Sequence, residues 1–280
     1  MTSMKAEMMK VDLHLHSNWS DGSLSVARLF RYAKDTGLDA IAITDHDSME
    51  GCEEARTQGE KQGLTVIPAV EISAYNPETG RKAHILGYNI KNPQEINSAC
   101  RPFIEARHDK NLEAVDRIAK AGYKISENDV LEYAALDGIV YRQHIMHALV
   151  DRCYTPSIYG DLYNKLFGPG GLAVTKTSYM SAEEAVYLIQ DCGGQAVLAH
   201  PFQYDSMDYI PQLVAWGLAG IEYVHHSQNP QRQEAVMQAA SRYGLFLTGG
   251  SDFHGFYSEK TIPLGIALEL PQNHPIFSRI

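Results

Sequence analysis

Cysteine is scarce and dispersed in this 280-residue chain. Cys52, Cys100, Cys153 and Cys192 stand far apart with no Cys-x-x-Cys pair, which argues against a disulfide framework or a cysteine zinc knuckle and fits reduced thiols. Positive charge is also short. Lys and Arg total 24 against 34 Asp and Glu, a formal net charge of −10, which excludes broad, charge-driven binding to nucleic acid or anionic membrane. A short nucleotide in a local site stays open. No apolar run approaches the roughly 18 residues of a membrane span. Met1–Lys10 carries charges where a signal peptide needs an apolar segment of roughly 7–15 residues, so the expected location is the cytoplasm. What the chain has in excess is histidine, 12 residues, one for every two Lys and Arg. Imidazole is a metal ligand and titrates near neutrality, so the question is whether these side chains converge.

Short apolar runs alternate with amphipathic segments that end in glycine, the pattern of βα units and a parallel sheet. The spacing predicts strands over Val11–His16, Asp39–Thr44 and Leu64–Val70, with helices over Leu24–Lys34 and Met49–Gln62 between them. The same alternation returns as a helix over Ala182–Asp191, a strand over Gln195–Ala199, and then Ile210–Trp216, Ile221–Val224, Gln231–Tyr243 and Leu245–Thr248. Between these blocks the reading is mostly helical, most clearly over Arg107–Lys120. The chain therefore divides into an α/β barrel over 1–96 and 178–280 and a helical insertion over 97–177 that contributes to the substrate site. In a parallel barrel, chemistry gathers at the carboxyl ends of the strands. Functional histidines should sit there.

Several do. His14 and His16 lie two apart on one strand, so both side chains point to one face while Leu13 and Leu15 point to the other. Alone, that pair is equally consistent with a chance alternation. Ser20-Asp21-Gly22 and Thr44-Asp45-His46-Asp47 follow apolar runs directly, and each could be a solvated turn or a helix cap. Glu71 comes right after Val66–Val70, where a carboxylate is costly unless a cation compensates it. His200 follows Ala196–Ala199, and Asp252 and His254 repeat the i, i+2 spacing after Leu245–Thr248. His84 departs from the rule because it begins its strand. Six imidazoles and three carboxylates exceed the needs of one tetrahedral zinc, and suit a mixed N/O cluster for Zn²⁺, Mn²⁺ or Fe²⁺.

Taken in order, Asp12-Leu-His-Leu-His-Ser17, Ser20-Asp-Gly22, Thr44-Asp-His-Asp47, Glu71, His84-Ile-Leu-Gly-Tyr88, Ala199-His-Pro201 and Gly250-Ser-Asp-Phe-His-Gly255 resemble the PHP (polymerase and histidinol phosphatase) superfamily. The resemblance implies a distorted (β/α)7 TIM-like barrel with two or three divalent metal ions. His14, His16, Glu71 and Asp252 would hold one ion, Glu71, His84 and His200 a second, and Asp21, His46 and His254 a third. It is closest to the stand-alone phosphoesterases acting on 5′-nucleotides, nucleoside 3′,5′-bisphosphates and, in some members, short RNA from its 5′ end. Their insertion carries an Arg-x-x-x-Asn element, matched by Arg107–Asn111, and a Gly-Arg-Pro-His element. The second survives here as Tyr141-Arg142-Gln143-His144, which keeps Arg and His and loses Gly and Pro.

The implied reaction is hydrolysis of a phosphomonoester of a small nucleotide, with hydroxide bridging two ions and attacking phosphorus in line. Glu71, Asp252 and His254 stand as catalytic residues. Arg142 would fork onto phosphate oxygens, with His144 as second donor or as acid for the leaving group. Arg107 is either a phosphate contact or a helix-surface ion-pair partner, and Arg232 has the same two readings. His225-His226 reads equally as a substrate contact or a surface pair. His108, His147 and His274 read as structural, and of the tyrosines near strand ends one is available to stack on a base. Two other readings remain. Histidinol phosphate is the same reaction class with a cationic substrate, and the nucleotide-type insertion speaks against it. An idle, metal-stabilised scaffold of the kind attached to polymerases is a different class, and the complete ligand set speaks against that.

Overall fold

The computed structural model describes residues 7–258, 260, 262–265 and 268–278. It opens with β1 (Met8–Leu15), α1 (Val26–Asp35), β2 (Ala40–Ile43) and α2 (Cys52–Gln62). Helix α1 buries Val26, Leu29, Phe30 and Ala33, one stripe at helical spacing, against β1 and β2. The expected strand over Leu64–Val70 is instead two, β3 (Thr65–Val66) and β4 (Ala69–Ile72). Pro68 lies between them and has no N–H to continue a ladder. The chain uses that break to change sheets.

Next come β5 (Ala74–Tyr75), β6 (Ile85–Tyr88), the 28-residue α3 (Pro93–Lys120), α4 (Glu127–Leu131), α5 (Arg142–Asp151) and α6 (Asp161–Phe167). The last block is β7 (Met180–Ser181), α7 (Ala182–Asp191), β8 (Gln195–Leu198), α8 (Ile210–Ala215), β9 (Gly220–Val224), α9 (Pro230–Tyr243), β10 (Phe246–Gly249) and β11 (Leu268–Pro271). A Ser181 and Glu184 capping box starts α7, and Asn229 caps α9 with Pro230 following it. No helix among the described residues is long and apolar enough to cross a membrane.

The main strands form two sheets, ordered β11-β1-β2-β3 and β10-β9-β8-β6-β4. The architecture is mixed α/β, and the ladders among the described residues do not run as one closed ring. Backbone bonds join the sheets at both seams, just beyond the strand ends. At one seam His16 N–H donates to Phe253 O (3.0 Å) and Asp252 N–H to His14 O (2.9 Å). At the other, Asp47 N–H donates to Glu71 O (2.9 Å). The shared core between the sheets includes Val11, Leu13, Leu86, Tyr88 and Val197, and the Tyr88 hydroxyl donates across it to Leu13 O at 2.8 Å.

The expected parallel arrangement fails at β6, which runs antiparallel to both β4 and β8. Ile85 therefore pairs with Ile72 and Leu198, the last residues of its neighbours. An amino-terminal end thus lies beside two carboxyl-terminal ends, and His84 sits there.

Helix α3 runs through the boundary expected near residue 97. Its Ile96, Cys100 and Ile104 pack with α7, α8 and α9 on the five-stranded sheet, while Ala114, Val115 and Ile118 belong to a separate core made by α4, α5 and α6. Tyr257, from beyond β10, also enters that second core.

Candidate metal centre

Glu71 is the hub of the centre. Fully buried beyond the middle of β4, its Oε1 lies 2.8 Å from His84 Nδ1 and 2.9 Å from His200 Nε2. Its Oε2 lies 3.2 to 3.3 Å from His14 Nε2, His16 Nε2 and His46 Nδ1. One carboxylate thus faces five imidazoles. Asp252 Oδ1 is 3.4 Å from His14 Nε2 and 3.2 Å from His16 Nε2, and Asp21 Oδ1 is 3.3 Å from His254 Nε2. Four groups among the described residues have ligand atoms close enough to share an ion: His14, His16, Glu71 and Asp252; His46, Glu71 and His84; His16, Asp21, His46 and His254; and His225, His226 and Asp252. All nine residues expected from the sequence come together, His200 through its contact with Glu71.

Local backbone constraints explain the placement. His200, Asp252 and Asp47 have φ of 21°, 53° and 58°, conformations that L-residues adopt rarely and that cluster at functional sites. Gly250 is required by close approach, since a Cβ there would lie 2.4 Å from His14 Cβ. Asp45, buried, accepts from Ser17 N–H, Ser17 Oγ and Ser20 Oγ at 2.5 to 2.7 Å and so fixes the loop that carries Asp21.

The protein groups alone leave this cluster unsatisfied. His14 Nε2, both nitrogens of His16, Glu71 Oε2 and His200 Nδ1 are buried with no hydrogen-bond partner among the described residues. Such groups cost free energy unless something pairs with them. His254 donates from Nδ1 to the Asp252 carbonyl at 2.9 Å, which in the neutral ring leaves the Nε2 lone pair facing the Asp21 carboxylate. Lone pair against carboxylate is repulsive until a cation or a proton sits between them.

The same charges act on protonation. Burial drives His14 and His16 down, yet Glu222 and Asp252 beside His14, and Asp252 and Glu71 beside His16, outweigh it. His14 is held well above its ordinary range and His16 is pushed up to about 10. His46, where burial wins, falls to about 3. Burial would raise Glu71, Asp21 and Asp252, but the surrounding imidazoles hold all three carboxylates below their usual range. Divalent cations on N and O donors of this kind can replace those protons.

A cavity of about 560 Å³ opens over the cluster. Asp21, His46, Glu71, His84, His200, Asp252 and His254 line its floor, and Arg107, Tyr141, Arg142 and Gln143 reach it from the helical segment. Arg142 packs its guanidinium 5.3 Å from the Phe167 ring centroid and forms no ion pair among the described residues. Gln143 Nε2 donates to Asp21 Oδ2 at 2.9 Å. His144 is buried, accepts the Tyr141 N–H on Nδ1 (3.0 Å), and is not among the lining residues. Arg107 is neither free nor on a helix surface: it is buried, with Nη2 2.6 Å from Asp47 Oδ2 and 3.0 Å from Ser73 Oγ, while still bordering the cavity. His147 bonds Tyr257 Oη (2.9 Å), and His108 accepts the Val140 N–H (3.3 Å), both structural contacts.

Two residues join the centre without having been read as part of it. Glu222 is fully buried against His14 and His200, and His225 against Asp252. The signal for Glu222 was available. It is a charge inside the apolar run Ile221–Val224, the same anomaly that singled out Glu71.

The mixed α/β fold and a buried cluster of imidazoles and carboxylates able to hold metal define the class as a metal-dependent one. The PHP domain family profile matches residues 12–192, and the chain belongs to that family. It is 40% identical over 245 residues to a phosphoribosyl 1,2-cyclic phosphate 1,2-diphosphodiesterase of Eggerthella lenta, covering 87% of this chain and 94% of that one. It is 32% identical over 251 residues to a 5′-3′ exoribonuclease of Haemophilus influenzae, covering 88% and 90%. Among solved structures it is similar to a Bifidobacterium adolescentis protein assigned as a metal-dependent phosphoesterase, with TM-score 0.83, 28% identity and coverage of 92% and 91%. The chain is a phosphoester hydrolase of the metal-dependent type.

Proposed function

We propose that this enzyme hydrolyses phosphomonoesters of small nucleotides and related ribose phosphates, using two or three divalent ions of the Mn²⁺, Zn²⁺ or Fe²⁺ class. The observation that carries the reading is the cluster around Glu71 on the cavity floor with the unpaired Arg142 on its wall. His14, His16, Glu71 and Asp252 would hold one ion, Glu71, His84 and His200 a second, and Asp21, His46 and His254 a third. When bound, such ions supply Lewis acidity, making water more acidic and offsetting charge on the phosphate oxygens. The protein's own contribution is placement. Arg142 presents a planar fork to phosphate oxygens, Gln143 holds Asp21 in position, and the contacts of Glu71 with both His14 and His84 let one carboxylate serve two ions. The two bridged sheets are, in this reading, the distorted (β/α)7 TIM-like barrel, with both seams bonded at the functional end in support.

A second reading is hydrolysis of a cyclic phosphodiester of a phosphorylated ribose, supported by the 40% identity to the Eggerthella lenta enzyme. Histidinol phosphate is disfavoured, because Lys82, Arg142, Arg232 and Lys260 line the cavity without a carboxylate partner among the described residues and would repel its cationic end. Metal-reconstituted protein should release phosphate from AMP, adenosine 3′,5′-bisphosphate or a 5′-phosphorylated dinucleotide, with phosphoribosyl 1,2-cyclic phosphate and histidinol phosphate assayed beside them by phosphorus NMR. Glu71→Gln should lose metal and turnover together. Metal-loaded protein inert on every ester would replace the enzymatic reading with that of a metal-stabilised scaffold.

A further inference from the structure

Strand β9 supplies none of the nine cluster residues, although it lies between β8 and β10 and its end points to the same place. We infer that Glu222, in the middle of that strand, and His225, just beyond its end, are positioning residues: Glu222 fixes which nitrogen of His14 carries hydrogen and holds the backbone of His200, and His225 orients Asp252. Neither lines the cavity. The inference rests on the reading that the cluster holds divalent ions.

Glu222 is 0% exposed, and its two oxygens are used on β1 and on the loop after β8. Oε1 lies 2.9 Å from His14 Nδ1, and Oε2 accepts the His200 backbone N–H at 2.6 Å. An ionised carboxylate only accepts. His14 therefore carries its hydrogen on Nδ1 and turns Nε2 towards Glu71 and Asp252, and the backbone of His200 is tied down at the point where its φ is 21°. Carboxylates that hold the far nitrogen of a metal-binding imidazole in this way orient the ring and raise its basicity.

His225 does the corresponding work for Asp252. Its Nδ1 receives the Ser227 backbone N–H at 3.1 Å, with Ser227 Oγ at 2.7 Å. A backbone N–H can only donate, so Nδ1 is the acceptor and the hydrogen of the neutral ring is on Nε2. That nitrogen lies 3.2 Å from Asp252 Oδ2. It donates to Oδ2 and leaves Oδ1 to the side where His14 and His16 converge. His225 is thus a donor to a cluster carboxylate, although its nearness to His226 and Asp252 would also allow a ligand role.

The test is Mn²⁺ affinity, measured by chelator competition with equivalents counted by elemental analysis, on the full chain. Loss of such outer partners costs about 10–100-fold in metal affinity, so Glu222→Gln and His225→Leu should each bind Mn²⁺ about 10–100-fold more weakly with the number of equivalents kept. His225→Gln, whose amide can still donate to Asp252, should restore most of the affinity, which a purely structural role would not produce. Wild-type affinity in both Glu222→Gln and His225→Leu overturns the inference alone. Loss of one whole equivalent in His225→Leu makes it a ligand and overturns its positioning role. A wild type that takes up no Mn²⁺ overturns the metal reading and this inference with it.

Discussion

Arg107 lies where a phosphate contact and a structural ion pair make opposite predictions. Its guanidinium is buried, donates to Asp47 Oδ2 and Ser73 Oγ, and lies 5.1 Å from the Tyr141 ring centroid. Asp47 is buried too, and its other oxygen accepts the Ser73 N–H at 2.7 Å. The pair joins the loops after β2 and β4 to α3. Removing one partner of a buried pair typically costs about 3–5 kcal/mol, because the other charge is left without compensation. Arg107→Met should therefore destabilise the fold by that amount. At about 2 °C per kcal/mol for a chain of this size, the melting temperature should fall by roughly 6–10 °C. Asn is the right replacement for Asp47, since it tolerates the φ of 58° found there and can still accept from Ser73. The double variant Asp47→Asn with Arg107→Met should then be more stable than Arg107→Met alone. Denaturant unfolding of the two single variants and the double variant closes a cycle. A loss below about 1 kcal/mol in Arg107→Met, with a raised KM, would refute the structural assignment and make Arg107 chiefly a substrate contact.

Arg142, by contrast, has no ion pair to lose. Arg142→Ala should raise KM about 10–100-fold, on the order of a charged hydrogen bond, with the melting temperature nearly unchanged; an unchanged KM, or a clear fall in melting temperature, would contradict its role at the cavity wall. Chelation should lower the melting temperature, and readdition of Mn²⁺ at about 100 times its Kd should restore roughly 2.7 kcal/mol; insensitivity of unfolding to chelator would count against a loaded centre. Burial lowers His144 from 6.5 to about 4. The unfolded chain thus binds that proton first, so its contribution is complete above pH 6.5 and is lost as pH falls towards 4, on the order of 3 kcal/mol in all. His144→Asn, which keeps an acceptor for the Tyr141 N–H, should flatten the pH dependence of urea unfolding over this window, and an unchanged slope would disprove it.

The cluster residues other than His84 were legible because each follows an apolar run or alternates within one, and strand ends are visible in hydrophobic pattern. His84 obeyed no such rule, because periodicity is the same whichever way a strand runs; only the antiparallel pairing of β6 brings its first end to the centre. Pro68 was visible as a residue, but that the chain changes sheets there is a tertiary fact. Arg107 showed the limit of motif spacing. Its partner Asp47 lies 60 residues away, and a long-range pair leaves no mark on the local pattern. Glu222 was missed for a different reason: one glutamate in a strand also fits an outward-facing position.

Helix α3 has a consequence for how such a molecule diversifies. None of the nine cluster residues lies between 97 and 177, while Ile96, near the start of α3, and Met180, in β7, belong to the same hydrophobic core. Part of the intervening stretch forms a second core, part packs with the first through Cys100, Ile104, Ala135 and Ile139, and the stretch supplies Arg107, Arg142 and Gln143 to the cavity wall. Changes confined to its cavity-facing side chains would alter what the cavity admits, while Gln143 on Asp21 and Arg107 on Asp47 tie the stretch to the loops that carry the cluster.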